Sequence, residues 1–386
     1  MQHLISLPNS KSLIIRNLVA HFVRYEEVLP VQDDESNDVL VTYNALVRVR
    51  DARCNREVSS PVVIDVRDCG AAYRFLMALL SVTPGQWLLT GTDRLLNRPM
   101  DELVAVLRTV GADIEQLDNG WQIVGRHLSA ETVTIDCSRT SQYASALLLI
   151  APKLQLRRLS LHPAEIGSQS YINLTRSCMD YPVEVPELTV ERLPLGGVGD
   201  WSSALFFYAY ACLHPTESFL LENLTLQSAQ GDSVIARWFE RLGVRTEQRE
   251  NGVWLAATPT NGRVQATFDV ADHPDVVPVM AALACLLPAD FRFVHTRNLA
   301  YKESNRTEAL HEQLSPFADI DYQEDEFRIS GKERGRWPVP PYQFRTMNDH
   351  RLAMAFLLFG ADAELDSVGC LQKSWGKRFE SVLKLQ

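Results

Sequence analysis

The sequence predicts an α/β protein of two domains, assembled from one supersecondary unit used several times. Three observations predict it. At 386 residues the chain is longer than one hydrophobic core usually serves. An amphipathic helix, a glycine stop and a hairpin occur together at 103–125, again at 234–257 and, in a worn copy, at 309–330. Such self-similarity implies a unit of βαβαββ form, and at roughly 60 residues each about six units fill the chain. Finally, WSSALFFYAYAC (201–212) is apolar nearly all round, which places that helix inside a domain.

Taken in order, HLISL reads as a short strand that leads through PNSKS into a helix, LIIRNLVAHF, with Ser10 or Ser12 as its cap and Lys11 at its mouth. An acidic, exposed loop, VQDDESND, and two alternating strands around VSSPVVIDV come next. DCGAAYRFLMALL (68–80) is a second helix, entered through a Gly-containing turn, with Arg74 one turn inside. The hairpins of the two clearer copies are expected to turn at Asn119–Gly120 and Asn251–Gly252. TSQYASALLLIA (140–151) is a helix opened by hydroxyl caps, and the strand-like FRFVHTRNL runs through YKESNR into a helical TEALHEQL.

Composition removes several classes of function. A net charge of -10 and a pI near 5.5 argue against nucleic-acid binding, which needs a basic surface to displace counterions. An anionic small substrate stays possible, because a cleft can focus positive potential locally. The seven cysteines are scattered and never spaced as CxxC, and the nine histidines form no HExxH or HxxxH pairing. Neither a disulfide framework nor a metal site is indicated, and a reducing compartment is expected. There is no GxGxxG or GxxxxGK[ST] cofactor fingerprint. The N-terminal MQHLISLPNSKSLIIR is interrupted by Pro8, Lys11 and Arg16, so it does not read as a secretory leader. The longest apolar runs are too short or too broken by proline to span a bilayer.

Candidate chemistry gathers at the helix entries: Lys11, Ser12 and Arg16; Gly70 and Arg74; Arg98; Thr140, Ser141 and Gln142; Asp275; Lys302, Glu303 and Arg306; His350 and Arg351; Lys373. A helix entry suits anions, because its first N–H groups lack intrahelical partners and carry the positive end of the dipole. Taken singly, each also fits an ordinary role: a capping salt bridge for Arg74, a surface lysine for Lys373, a satisfied core histidine for His350. Together they describe a site for multiply charged anions held by lysines and arginine forks. Asp275 and Glu303 are isolated acids among the cations, suited to moving protons.

The runs LPNSKSLIIR, DCGAAYRFL, NRPM, TSQYASALLLIAP, SQSYINLT, GDWSSALFF, HPDVVPVMAALA, YKESNR, NDHRLAMAF and GCLQKS, in that order from Leu7 to Ser374, resemble the signature segments of the 5-enolpyruvylshikimate 3-phosphate synthases. The resemblance implies a two-domain, inside-out α/β barrel fold of six βαβαββ units, with helices buried in each domain and the active site in the cleft between them. Domain I would comprise 1–9 and 199–386, the chain returning near Gly199–Asp200, and domain II 10–198. It implies transfer of the enolpyruvyl group of phosphoenolpyruvate to the 5-hydroxyl of shikimate 3-phosphate, with loss of phosphate, no metal or organic cofactor, and a cytoplasmic, monomeric enzyme that glyphosate targets. Ligands bound between two domains favour closure, so the unliganded form is expected to be open.

Position by position, the resemblance assigns shikimate 3-phosphate to Lys11, Ser12, Arg16, Thr140, Ser141, Gln142, Ser168, Tyr171, Asp275, Asn298 and Lys302. It assigns phosphoenolpyruvate to Lys11, Gly70, Arg98, Gln142, Glu303, Arg306, His350, Arg351 and Lys373. Asp275 resembles the base that takes the hydroxyl proton, and Glu303 with Lys11 the pair that manages the proton at the methylene carbon. The chain departs from the family's usual pattern at Asn9, Asp68, Ala71, Phe75, Asn97 and Thr140, and its LAYKESNR lacks a Trp and an Asp. Ala71 and Phe75, where Thr and Pro are usual, flank Arg74 near Gly70. Two alternatives stand beside this reading: a UDP-N-acetylglucosamine enolpyruvyl transferase, whose functional Cys before the Arg-Pro pair is missing from TGTDRLLNRPM, and a catalytically silent anion-binding relative.

Overall fold

The computed structural model describes residues 2–54, 60–163, 167–188, 197–259, 262–287 and 289–379. The chain falls into two units, Met1–Ser10 with Gly196–Gln386, and Lys11–Leu195. Strand β1 (Gln2–Ser6) belongs to the first. The second unit then runs α1 (Lys11–Tyr25), α2 (Asn37–Cys54), β2 (Val62–Asp65), α3 (Gly70–Ser81), β3 (Gly85–Thr90), α4 (Asp93–Leu96), α5 (Asp101–Thr109), β4 (Asp113–Leu117), β5 (Gly120–Gly125), β6 (Thr132–Asp136), α6 (Gln142–Leu149), α7 (Ala151–Leu154), β7 (Arg158–His162) and α8 (Gln169–Cys178). The first unit resumes with α9 (Trp201–Leu213), β8 (Ser218–Glu222), α10 (Ile235–Glu240), β9 (Val244–Arg249), β10 (Gly252–Ala257), β11 (Val264–Asp269), α11 (Val277–Leu286), β12 (Ala289–Val294), α12 (Arg306–Leu314), β13 (Ala318–Gln323), β14 (Glu326–Gly331), β15 (Tyr342–Phe344), α13 (His350–Leu357), β16 (Ala363–Leu365) and α14 (Gln372–Trp375).

Repetition in the sequence reappears as repetition of sheet topology. Sheets β2-β3-β5-β4, β1-β8-β10-β9 and β11-β12-β14-β13 share one plan, a parallel pair extended by an antiparallel hairpin. Among the described residues, the pairs β6-β7 and β15-β16 carry the parallel half, with one further parallel bridge from Arg158 to Glu184. Each hairpin closes over a two-residue loop, since Leu117 pairs with Gly120, Arg249 with Gly252 and Gln323 with Glu326. The loops are therefore 118–119 and 250–251, one residue earlier than the Asn-Gly pairs suggest. The glycines open the return strands instead. A Cβ on Gly120 would lie 2.3 Å from the Leu89 carbonyl oxygen, and one on Gly252 2.1 Å from that of Leu221, so only glycine lets those strands start beside their neighbours.

Helices fill the interior of each unit. Every residue of α3 from Ala72 to Ser81 is buried, as are Tyr143–Leu149 of α6 and Val277–Cys285 of α11. The strands alternate: in β6, Val133 and Ile135 point inward while Thr132, Thr134 and Asp136 are exposed. Each unit has its own apolar core. The resulting frame presents helix N-termini at which the polar candidates sit.

Three readings of local structure are corrected. Of the two strands expected around VSSPVVIDV one is found, β2, and the stretch before it is the long helix α2, whose Val39, Thr42, Ala45, Leu46 and Val49 are buried at helical spacing while Val41 and Val47 are half-buried. Part of the expected strand around VSSPVVIDV lies outside the described residues. Asp38, placed by sequence in an exposed loop, is buried at the start of that helix. The helix expected over 140–151 is two, broken at Ile150 just before Pro152, whose ring cannot continue the hydrogen-bond ladder.

Candidate active site

In the first unit, the chemistry centres on Arg306, the first residue of α12, a helix that Asn305 caps by accepting the Glu308 N–H at 3.4 Å. The guanidinium is buried, 1% exposed, and contacts three carboxylates. Nε and Nη2 fork onto Asp349 at 2.8 and 3.2 Å, Nη2 also reaches Glu303 at 2.8 Å, and Nη1 reaches Asp275 at 2.7 Å. Asp275 also faces Lys302 at 3.2 Å and Arg351 at 3.9 Å. Asp349 accepts the Ser304 hydroxyl at 3.0 Å and the Arg351 N–H at 2.9 Å, the latter capping α13.

Three cations and three carboxylates thus interlock. Burial alone would raise the Asp275 carboxyl, but Lys302, Arg306 and Arg351 outweigh it and hold the group well below the usual carboxylate range. Burial likewise opposes the charge on Arg306, yet Asp349, Asp275 and Glu303 raise its pKa. His350, buried at the first turn of α13, has Nδ1 4.0 Å from Asp349. Arg351 donates from Nη1 to the Ser202 carbonyl at 3.1 Å, near the start of α9. Lys373 is buried in α14, which packs against α13, and Asn298 is half-buried in the turn Arg297–Tyr301 ahead of α12.

The second unit pairs its cations less completely. Lys11 opens α1 and pairs with Asp38 at 3.0 Å. Arg16 is buried, donating from Nε to Thr175 Oγ1 at 2.7 Å and from Nη1 to the Ser12 carbonyl at 2.8 Å. Arg74 is buried as well, donating to the carbonyls of Gly70 (3.1 Å) and Pro99 (3.2 Å) and to Gln142 Oε1 (3.1 Å). Arg98 comes so close to Gly70 that a Cβ there would lie 2.4 Å from its Nη1. Among the described residues, Arg16, Arg74 and Arg98 have no carboxylate within ion-pair distance. Burial pulls Arg16 and Arg74 down to about 10, the latter helped by repulsion from Arg98, and both stay charged near neutrality.

Around them, Thr140 accepts the Gln142 N–H at 3.3 Å and Ser141 is buried at the N-cap of α6 without bonding through its side chain to that cap. The hydroxyl cap expected for this helix therefore comes from Thr140. Ser168 is buried at the N-cap of α8 with φ 65°, and the Tyr171 ring lies 5.6 Å from the Arg16 guanidinium carbon. Sequence reasoning missed Asp38 and Asp349. The second was signalled by its place just before the helical HRLAMAF, where an N-cap acid belongs; the first was hidden in an acidic run.

A family model described as EPSP synthase (3-phosphoshikimate 1-carboxyvinyltransferase) matches residues 39–383. The chain is similar to the 3-phosphoshikimate 1-carboxyvinyltransferase of Bacteroides fragilis, 35% identical over 368 residues that cover 91% of this chain and 87% of the relative. It is also similar to the enzyme of that name from Dehalococcoides mccartyi, 26% identical and covering 96% and 93%. Among solved structures, an EPSP synthase from Acinetobacter baumannii shares the fold at a TM-score of 0.68 and 17% identity, covering 98% of this chain and 94% of the other. No helix among the described residues is long and apolar enough to cross a membrane.

Proposed function

The chain belongs to the EPSP synthase family, and on that premise we propose that residues of both units act on one pair of bound ligands. It is a 3-phosphoshikimate 1-carboxyvinyltransferase of the shikimate pathway, which moves the enolpyruvyl group of phosphoenolpyruvate to the 5-hydroxyl of shikimate 3-phosphate and releases phosphate. The observation that carries our assignment of residues is that, among the described residues, the buried guanidiniums of Arg16 and Arg74 and the half-buried one of Arg98 have no carboxylate partner. A buried cation is costly unless something compensates it, and a bound carboxylate or phosphate does so.

Phosphoenolpyruvate would then engage Lys11, Gly70, Arg98, Gln142, Glu303, Arg306, His350, Arg351 and Lys373. Shikimate 3-phosphate would engage Lys11, Ser12, Arg16, Thr140, Ser141, Gln142, Ser168, Tyr171, Asp275, Asn298 and Lys302, its phosphate at the entry of α6. On the same footing we infer the finer architecture: two inside-out barrels of βαβαββ units, 1–9 with 199–386 and 10–198, the two-stranded pairs being reduced copies, and the active site in the cleft. A monomeric, cytoplasmic enzyme completes this reading.

Chemically, a proton is added to the methylene carbon of phosphoenolpyruvate while the acceptor hydroxyl bonds to its C2 and gives up its own proton. The reverse proton removal at the new methyl group then expels phosphate. Asp275 is ionised at neutral pH and can receive the hydroxyl proton. Its depressed pKa makes it a weak base, so removal must accompany C–O bond formation, when the hydroxyl becomes acidic. Glu303 and Lys11 would handle the proton at carbon. Arg98, Arg306, Arg351 and Lys373 would stabilise charge on the departing phosphate. The test is phosphate release from phosphoenolpyruvate with shikimate 3-phosphate or UDP-N-acetylglucosamine as acceptor. Turnover with the former alone is expected, and turnover with the latter alone would overturn the reading.

A further inference from the structure

Arg16 is fixed in an unusual way for a buried cation. It is 2% exposed, and its two hydrogen bonds go to neutral oxygens, Thr175 Oγ1 and the Ser12 carbonyl. Two aromatic rings lie beside it: the guanidinium carbon is 5.3 Å from the centre of the Phe75 ring and 5.6 Å from that of Tyr171. Phe75, on α3, is fully buried. A carboxylate partner would hold the guanidinium but cancel its charge and occupy its donors. An aromatic face attracts the cation through the ring quadrupole, takes up none of the N–H groups, and acts more strongly in a desolvated place than at the surface. Arg16 has five N–H donors, and its hydrogen bonds use only part of that fork.

We propose that Phe75 is a positioning residue for Arg16, its ring setting the guanidinium for the anionic acceptor while leaving the donors and the charge available to it. This rests on the assignment of Arg16 to shikimate 3-phosphate. It gives a role to one of the departures from the family's usual pattern, since the proline usual at this position has no aromatic face. Thr175 serves the same end from α8: it accepts the Arg16 Nε–H, donates its one hydrogen to the Tyr171 carbonyl at 2.9 Å, and lies 2.9 Å from the Ser145 hydroxyl. Ring, hydroxyl and helix carbonyl therefore fix the guanidinium from three helices, α3, α8 and α1.

The test replaces Phe75 in the full chain by mono-, di- and pentafluoro-phenylalanine, a series that drains the ring face of negative potential at nearly constant volume, with Phe75→Leu beside it. Steady-state KM is measured for each substrate with the other saturating, and circular dichroism checks the fold. KM for shikimate 3-phosphate should climb stepwise along the series, reaching roughly tenfold at the pentafluoro ring, while KM for phosphoenolpyruvate moves by less than about twofold. Phe75→Leu should show the same split. A flat series, or both KM values rising together, would overturn the proposal, because mere packing has no reason to follow ring electrostatics or to single out one substrate. An unsubstituted protein that releases no phosphate would instead remove the assignment beneath it.

Discussion

Replacing Asp349 by alanine deletes four accepted hydrogen bonds: two from Arg306, one from Ser304 and one from the Arg351 N–H. Both Asp349 and the Arg306 guanidinium are essentially inaccessible, at 0% and 1% exposure, so water cannot substitute for the lost partner. Breaking a buried pair by removing one member typically costs about 3–5 kcal/mol. Loss of the α13 cap adds about 1 kcal/mol. Glu303 and Asp275 still reach Arg306 and offset part of this, so a net loss of about 4 kcal/mol is expected, in the upper range for a single substitution. For a cooperative unit of roughly 200 residues that corresponds to a melting temperature lower by about 10 °C. Asp349→Asn keeps an acceptor for the cap but not the charge and should cost about half as much. Calorimetry at neutral pH, with KM for phosphoenolpyruvate measured below the new transition, decides the matter. A shift of less than about 2 °C for Asp349→Ala would refute the view that this carboxylate anchors the cluster.

Other consequences are as direct. Gly70→Ala puts a methyl 2.4 Å from Arg98 Nη1 and 3.1 Å from Arg74 Nη1, so Arg98 must swing aside; KM for phosphoenolpyruvate should rise about tenfold or more with stability changed by under about 1 kcal/mol, as steady-state kinetics and melting will show. Asp275→Asn should lower kcat by at least about a hundredfold, the scale of a lost acid–base group. Because Asp275 titrates well below its ordinary 3.8, its contribution to stability is complete above that value and is lost as pH falls through the folded-state pKa. Melting temperature should consequently show no Asp275-linked decline between about pH 8 and pH 5, and this contribution should disappear only below about pH 4. Inorganic phosphate should raise the melting temperature in proportion to the logarithm of its concentration, through Arg74 and Arg98, and Arg98→Ala should weaken that rise.

Much of this was legible in the chain because it rests on local rules. The hairpins announce themselves through glycine and asparagine, though close approach of strands rather than turn conformation decides where Gly120 and Gly252 sit. Lys302, Glu303 and Arg306 were evident as a charged helix entry, and the structure places Glu303 and Lys302 just before α12 and Arg306 at its first residue. Helix α2 was not legible, because valines at alternate positions mimic a strand and only tertiary packing selects the helical face. Nor could pattern show that Asp38 would be drawn inward by Lys11, or that Arg16 would settle against Phe75, some sixty residues away. Such pairings are set by which helices pack together, information that a period of 3.6 does not contain.

Under the proposed function, one reaction uses residues from both units. Lys11→Met from the second unit and Asp275→Asn from the first, each checked for its fold, are therefore assayed for phosphate release from phosphoenolpyruvate and shikimate 3-phosphate. Each substitution alone is expected to reduce kcat by about a hundredfold or more. Either folded variant turning over at more than about a tenth of the unsubstituted rate would contradict that joint use.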